Sequence, residues 1–297
     1  MKSQGLQFGV HLSGAGDPAV EATLAEALGF DMVAIDRDVL NGPPPGPEVW
    51  TTLTWVAART STIRVIPNIL AMPNRHPALI AKMAETLDRL SGGRLILALG
   101  AGAPMNDAGV RALGLNPFSP AERVDATAEA IDVIRGLWTE ASFSYWGKYF
   151  ATGQASMQPR PQHSIPIWLG AYKPRMLELT GQRADGWIPS LFLLEPEAAY
   201  RALDRVRAAA LRAGRDPDAL TFAYNLGVLV DEHAAAQPGR LTGSAEQVAE
   251  NLAEFVAHGF TSFLFWLSDD APDQMERLAH QVIPSLRARI EQRVSSP

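Results

Sequence analysis

The chain has 297 residues, 47% hydrophobic and 20% charged, with a net charge of −6 and a pI of about 5.6. That composition excludes general disorder and supplies a large core, while an acidic balance without a long basic run argues against nucleic acid as a partner. The absence of cysteine excludes disulfides, thiolate metal sites, iron–sulfur clusters and a thiol nucleophile. The start, MKSQGLQFGVHLSG, lacks the apolar region and cleavage site of a signal peptide, and no apolar run reaches membrane-spanning length. A soluble cytoplasmic protein is expected.

Short apolar runs alternate with longer periodic segments. Leu6–Leu12 predicts a buried strand, followed by a helix over Pro18–Leu28 with Asp17 as N-cap and Gly29 as its closing glycine. Met32–Ile35 is a second strand, and Pro47–Thr60 a helix with proline near its first turn. Ile63–Leu70 is a third strand, with Pro67 an odd residue inside it, followed by a helix over Pro77–Leu90. Arg94–Leu99 is the fourth strand and Pro120–Trp138 a long amphipathic helix. The rhythm then breaks over Thr139–Ser164, which is rich in aromatics, glycine and proline.

It resumes with strand Pro166–Leu169, helix Pro174–Arg183, strand Gly186–Pro189 and helix Pro196–Ala213. Strand Leu220–Val230, helix Ser244–His258, strand Thr261–Leu267 and a closing helix over Ala271–Val294 complete the chain. Apolar strands followed by amphipathic helices mean a parallel sheet covered by helices. Eight such units in one chain of this length predict a (β/α)8 barrel (TIM barrel) spanning residues 1–297, with residues 139–164 inserted after the fourth helix. An open doubly wound sheet is the structural alternative.

Active sites of such barrels gather at the C-terminal strand ends. Those ends carry His11, Asp36, Arg37, Asp38, Asn68, Gly100-Ala101-Gly102, Asn106, the run Gly170-Ala171-Tyr172-Lys173-Pro174, Ser190, Asn225 and Trp266. The six histidines show no HxH or HxxxH spacing, so a metal-dependent hydrolase is poorly supported. No GxSxG elbow and no lysine inside an apolar strand occur. Small residues, amides and aromatics suit a large planar cofactor that carries its own chemistry. The turn GAYKPRMLEL offers backbone N–H groups at a helix start, with Lys173 as an added charge, although an ordinary turn reads equally well. His76 before Pro77 reads first as a helix cap, and Trp146 and Tyr149 either cover a pocket or patch the barrel side.

Four stretches together resemble the bacterial luciferase-like flavin and deazaflavin oxidoreductases: HPALIAKMAETLDRLSGGRLILALGAG, ERVDATAEAIDVIRGLW, IPIWLGAYKPRMLELTGQRADGWIPS and TGSAEQVAENLAEFVAHGFTSFLF. In order and spacing the resemblance covers nearly the whole chain. It implies a (β/α)8 barrel with an insertion, often dimeric, that binds FMN or the deazaflavin F420 across the strand ends. It implies that Gly170, Ala171, Tyr172, Lys173 and Pro174 hold the cofactor phosphate. Asn68 falls at the third-strand kink beneath the ring, often a non-prolyl cis peptide. Gly100, Ala101 and Gly102 are then small because the ring passes above them.

The compact chain favours F420, with FMN as the alternative. Sugar-phosphate dehydrogenases of this family carry an acid after the fourth-strand glycines and a histidine after the second strand. Here those places hold Ala103 and Arg37, which argues against a sugar phosphate. His11, Asp36, Asp38 and Asn106 remain as candidates to position a small-molecule substrate or move a proton. The leading expectation is an F420-dependent oxidoreductase. An FMN-dependent monooxygenase fed by a separate reductase and a flavin-binding protein without turnover are the alternatives. A homodimer packed through Pro47–Thr60 and Pro77–Leu90 is expected.

Overall fold

The structure is a computed structural model that describes residues 5–13, 16–35, 46–72, 75–267 and 270–295. In chain order the elements are β1 (Gln7–His11), α1 (Pro18–Ala27), β2 (Met32–Ile35), α2 (Val49–Arg59), β3 (Arg64–Pro67), β4 (Leu70–Ala71) and α3 (Pro77–Ser91). Next come β5 (Leu97–Gly100), α4 (Asp107–Ala112), α5 (Pro120–Thr139), β6 (Phe143–Trp146), β7 (Ala151–Ala155), β8 (Ile167–Gly170) and α6 (Pro174–Arg183). The last third holds β9 (Gly186–Trp187), α7 (Pro196–Arg212), β10 (Thr221–Val230), β11 (Arg240–Gly243), α8 (Ala245–Ala257), β12 (Ser262–Leu267), α9 (Ala271–Arg277) and α10 (Ile283–Ser295).

The parallel strands follow the order β3-β2-β1-β12-β10-β9-β8-β5-β4. The two ends of that path, β3 and β4, are consecutive pieces of one stretch of chain, and Val65 bridges Leu95 across the join. The path therefore returns on itself. Counting β3 and β4 as one interrupted stave gives the eight staves of a (β/α)8 barrel, as the sequence pattern predicts. The third strand is broken rather than continuous, and the peptide between Asn68 and Ile69 is cis.

Residues alternate across each stave. Met32, Ala34, Ile66, Ile96, Ala98, Trp168, Ile188, Ala223 and Leu264 form the cluster that fills the barrel. Their neighbours, such as Val33, Ile35, Val65 and Leu97, face outward into the larger layer shared with the helices. Both faces are buried, which is why these strands read as unbroken apolar runs. At the N-terminal end of β5, buried Arg94 ties the layer together. Its guanidinium donates to the carbonyls of Ala57 (2.6 Å), Ser91 (2.7 Å) and Ile63 (2.9 Å) and to Thr60 Oγ1 (2.9 Å).

The helix starts follow capping chemistry. Asp17 accepts from Ala19 N at 2.9 Å, and His76 Nδ1 accepts from Ala78 N at 3.2 Å. Ser119 with Glu122 and Ser244 with Gln247 form capping boxes. Glu48 caps α2, so Pro47 lies outside the helix rather than in its first turn. The insertion is an antiparallel hairpin, β6 and β7. Glu129 of α5 accepts from the N–H groups of Lys148 (2.8 Å), Tyr149 (2.9 Å) and Phe150 (3.0 Å), so its turn is clamped to the side of the barrel. Tyr149 packs edge-on to Phe118, while Trp146 is 78% exposed.

Sequence pattern missed β11 and α4 because each is a short element without a clear period. It also ran the last helix together, where a π-helical turn over Leu278–Val282 separates α9 from α10. Among the described residues, no helix is long and apolar enough to cross a membrane.

Candidate functional site

Three buried side chains meet at the C-terminal mouth of the barrel. His11 closes β1 and is 5% exposed, Asn68 follows β3 at 7%, and Asn225 lies within β10 at 2%. Each is anchored through a strand: Asn68 N donates to Ile35 O at 2.8 Å, and Asn225 N to Pro189 O at 2.9 Å. A polar side chain at such depth must find a partner. Asn68 Nδ2 donates to Asn225 Oδ1 at 2.5 Å, and His11 Nε2 lies 3.2 Å from Asn225 Oδ1 and 3.1 Å from Asn68 Nδ2. Nε2 thus faces one acceptor and one donor.

The network continues across the mouth. Asn225 Nδ2 donates to Ser190 Oγ at 3.3 Å, and the Tyr172 hydroxyl stands 3.3 Å from the same oxygen. Burial pushes the Tyr172 phenol up, outweighing the hydrogen bonds with Ser190 that lower it, so it remains protonated. The ring of Trp266, near the end of β12, stacks on His11 at 4.1 Å, and Phe192 leans on Trp266 at 5.4 Å. A polar floor is thereby walled on one side by aromatics.

Ile69 covers the centre. A Cβ at Gly100 would stand 2.4 Å from Ile69 Cδ1, and one at Gly170 would stand 2.3 Å from it. The small residues at these two strand ends make room for Ile69. For Gly100 the sequence reading gave space for a flat ring, and for Gly170 a place in the phosphate turn; in the folded chain a β-carbon at either would meet Ile69. Gly102 is a glycine for another reason: its φ is 76°. Ala101 is half-buried.

The turn after β8 brings Gly170, Ala171, Tyr172, Lys173 and Pro174 to the start of α6. Ala171 is 1% exposed, and its carbonyl accepts from Trp187 Nε1 at 3.0 Å. Lys173 is the N-cap of α6 and makes no side-chain capping bond, and Pro174 opens the first turn. The exposed Lys173 has no ion-pair partner among the described residues. This ten-residue helix therefore presents free N–H groups and a lysine together, a combination that suits an anion.

Other candidates separate from this cluster. Asn106 ends a short 3-10 turn, its N–H bonded to Ala103 O at 2.9 Å, and its side chain makes no hydrogen bond to the cluster among the described residues. Its neighbour Asp107 is paired with Arg123 at 2.5 Å. Asp36 and Asp38 lie outside the described residues. Asn225, Ser190 and Trp266 complete the site, although only their place at strand ends marked them in the sequence. The stronger signal was a single asparagine inside the apolar run TFAYNLGVLV, since an amide there needs a buried partner.

The pattern of the family described as luciferase-like monooxygenase matches residues 17–240. The chain belongs to this family. Among luciferase-like relatives, an F420-dependent glucose-6-phosphate dehydrogenase of Beutenbergia cavernae is 30% identical over 91% of this chain and 93% of its own. One of Microbacterium testaceum is 31% identical over 66% of this chain, and the match spans only 60% of that relative's length. In structure, an F420-dependent secondary alcohol dehydrogenase superposes with a TM-score of 0.85 over 96% of this chain and 100% of its own, at 22% identity. That likeness carries the luciferase-like barrel fold.

Proposed function

We propose that this protein is an F420-dependent oxidoreductase that moves a hydride between the deazaflavin and a small organic substrate in the barrel mouth. The observation that carries this reading is the relative named F420-dependent that matches 91% of the chain. The uncapped start of α6 and the unpaired Lys173 fit the cofactor's phosphate, with Gly170 and Ala171 leading into that turn. Bound there, the deazaflavin supplies hydride transfer at its C5, and the chain supplies orientation and a sheltered mouth. Asn68 and Asn225 hold the polar floor, and Gly100, Ala101 and Gly102 form the neighbouring strand end.

Two positions argue against a sugar phosphate as the substrate. The acid expected after the fourth-strand glycines is replaced by Ala103, and the histidine after the second strand by Arg37. His11 is buried beneath Trp266 with Nε2 engaged, so it orients the floor amides rather than meeting substrate. Asp36, Asp38 and Asn106 remain the candidates to position the substrate or move a proton.

The family's monooxygenase description supports a second reading, an FMN-dependent monooxygenase supplied by a partner reductase. Paired fluorescence titrations with oxidised F420 and with FMN decide between the two. Tight binding of F420 alone is expected; preference for FMN favours oxygenation, and binding of neither overturns both. We also assign a homodimer built on α2 and α3, where Trp55, Leu79 and Leu90 are exposed. A monomer by light scattering at micromolar concentration refutes it.

A further inference from the structure

We propose that Phe192 is a specificity-determining residue, and that the substrate carries an uncharged alkyl or aryl body lying along the rings of Trp266 and Phe192. The proposal names the substrate class for the oxidoreductase reading above and rests on that reading. It begins from a strip of rings that climbs from the floor of the mouth to its rim. His11 is 5% exposed, Trp266 is half-buried and Phe192 is 59% exposed. Successive ring centres along the strip are 4.1 and 5.4 Å apart.

The exposure of Phe192 is built into the backbone. The residue sits in the turn between β9 and α7, and the turn is bonded on both sides of it. Leu191 N donates to Asn225 O at 2.9 Å, and Leu193 N and Leu194 N both donate to Ser190 O at 3.0 Å. The Tyr224 hydroxyl donates to Leu194 O. Behind the turn, a β-carbon on Gly239 would stand 3.1 Å from Phe192 Cβ, so that side is closed as well. The backbone cannot draw Phe192 inward without breaking these bonds. A lone exposed apolar side chain is ordinary. One that is fixed, and that continues an aromatic wall down to a polar floor, marks a place where apolar surface is covered by a ligand.

The chemistry of the strip selects its occupant. Trp266 and Phe192 offer apolar area and polarisable faces. Among the described residues, no lysine or arginine stacks on either ring. Arg240, next to Gly239, turns Nη2 to Val228 O at 3.1 Å. A charged group laid on the strip would lose hydration and gain no partner from the rings, whereas a hydrocarbon gains with every methylene it covers. The substrate therefore places its one polar end at the amide floor and its apolar body toward the rim.

The test is saturation-transfer difference NMR with acetone, 2-butanone, 2-hexanone, 2-octanone and octanoate, with and without saturating oxidised F420. Affinity for the ketones is expected to rise about threefold per added methylene, with octanoate well below 2-octanone. Phe192→Ala should weaken 2-octanone about tenfold and leave acetone unchanged, and Phe192→Leu should restore most of the loss. Trp146→Ala removes a ring that is 78% exposed on the hairpin, and it should change nothing. Nuclear Overhauser effects from the ketone chain should reach the Phe192 ring.

Four results overturn the proposal. They are a flat ketone series, tighter binding of octanoate, a Phe192→Ala protein that binds 2-octanone as wild type does, and displacement of 2-octanone by F420. A Phe192→Ala change in oligomeric state by light scattering also overturns it, by making the strip a contact between copies of the chain. A wild type that binds the ketones but no F420 leaves the apolar site standing and removes the cofactor reading instead.

Discussion

The Cδ1 atom of Ile69 lies 2.4 Å from the point where a β-carbon on Gly100 would stand. Gly100→Ala should therefore force Ile69 to swing away from the strand ends, at a cost of about 1–3 kcal/mol in unfolding free energy. Ile69→Ala placed in the Gly100→Ala background should remove the clash and recover part of that loss. Chemical denaturation of the three variants checks it; a Gly100→Ala protein as stable as wild type sinks the account.

Asn225 holds the polar floor from a buried strand, so its loss leaves partners without bonds. Asn225→Leu should destabilise the protein by about 1–3 kcal/mol, because the amides of Asn68 and the hydroxyl of Ser190 stay buried. Asn225→Asp preserves the acceptor at Oδ1 and should lose less. Thermal unfolding of the pair gives the comparison.

Arg94 is the corresponding anchor at the opposite end of the barrel. Burial pushes its guanidinium down from the usual arginine range. Its bonds run to α2, α3 and the start of β3. Arg94→Met should cost about 3 kcal/mol or more, since each charge-assisted bond contributes on the order of 1.5–3 kcal/mol. Arg94→Lys should recover little, because an ammonium cannot serve acceptors in a planar fork. Urea denaturation midpoints decide.

Glu26 of α1 gives a pH signature. Burial works against its charge, but the backbone N–H groups of Thr62, Ile63 and Ser61 and the Thr62 hydroxyl outweigh it and hold the carboxyl at about 2. The folded value lies below the model-compound value of 4.5. This contribution to stability is thus complete above about pH 4.5 and is lost as pH falls toward about 2. Glu26→Gln should flatten the pH dependence of the unfolding midpoint in that window; an unchanged slope would contradict the assignment.

Lys173 tests the anion site. Lys173→Ala should weaken F420 binding several-fold at low ionic strength and make little difference at high salt, because an exposed charge is screened there. Equal affinity at low salt would move the phosphate elsewhere.

The sequence by itself determined the alternation of buried parallel strands and covering helices, and strand closure settled the barrel over the open sheet. Apolar runs such as MVAI and IWLG, buried on both faces, cannot be anything but inner strands once helices separate them. The caps at Asp17 and His76 were legible because capping is settled within a few residues of chain. The turn at Lys173 and Pro174 was marked as well. Tertiary structure alone decided which side chains meet. His11, Asn68 and Asn225 are up to 214 residues apart along the chain, and only closure of the barrel sets their amides and ring within hydrogen-bond reach. Local pattern records the direction in which each strand faces, but not the stagger that brings distant strand ends to one level. For that reason Gly100 read only as room at a strand end, while the folded chain shows that Ile69 is the side chain beside it.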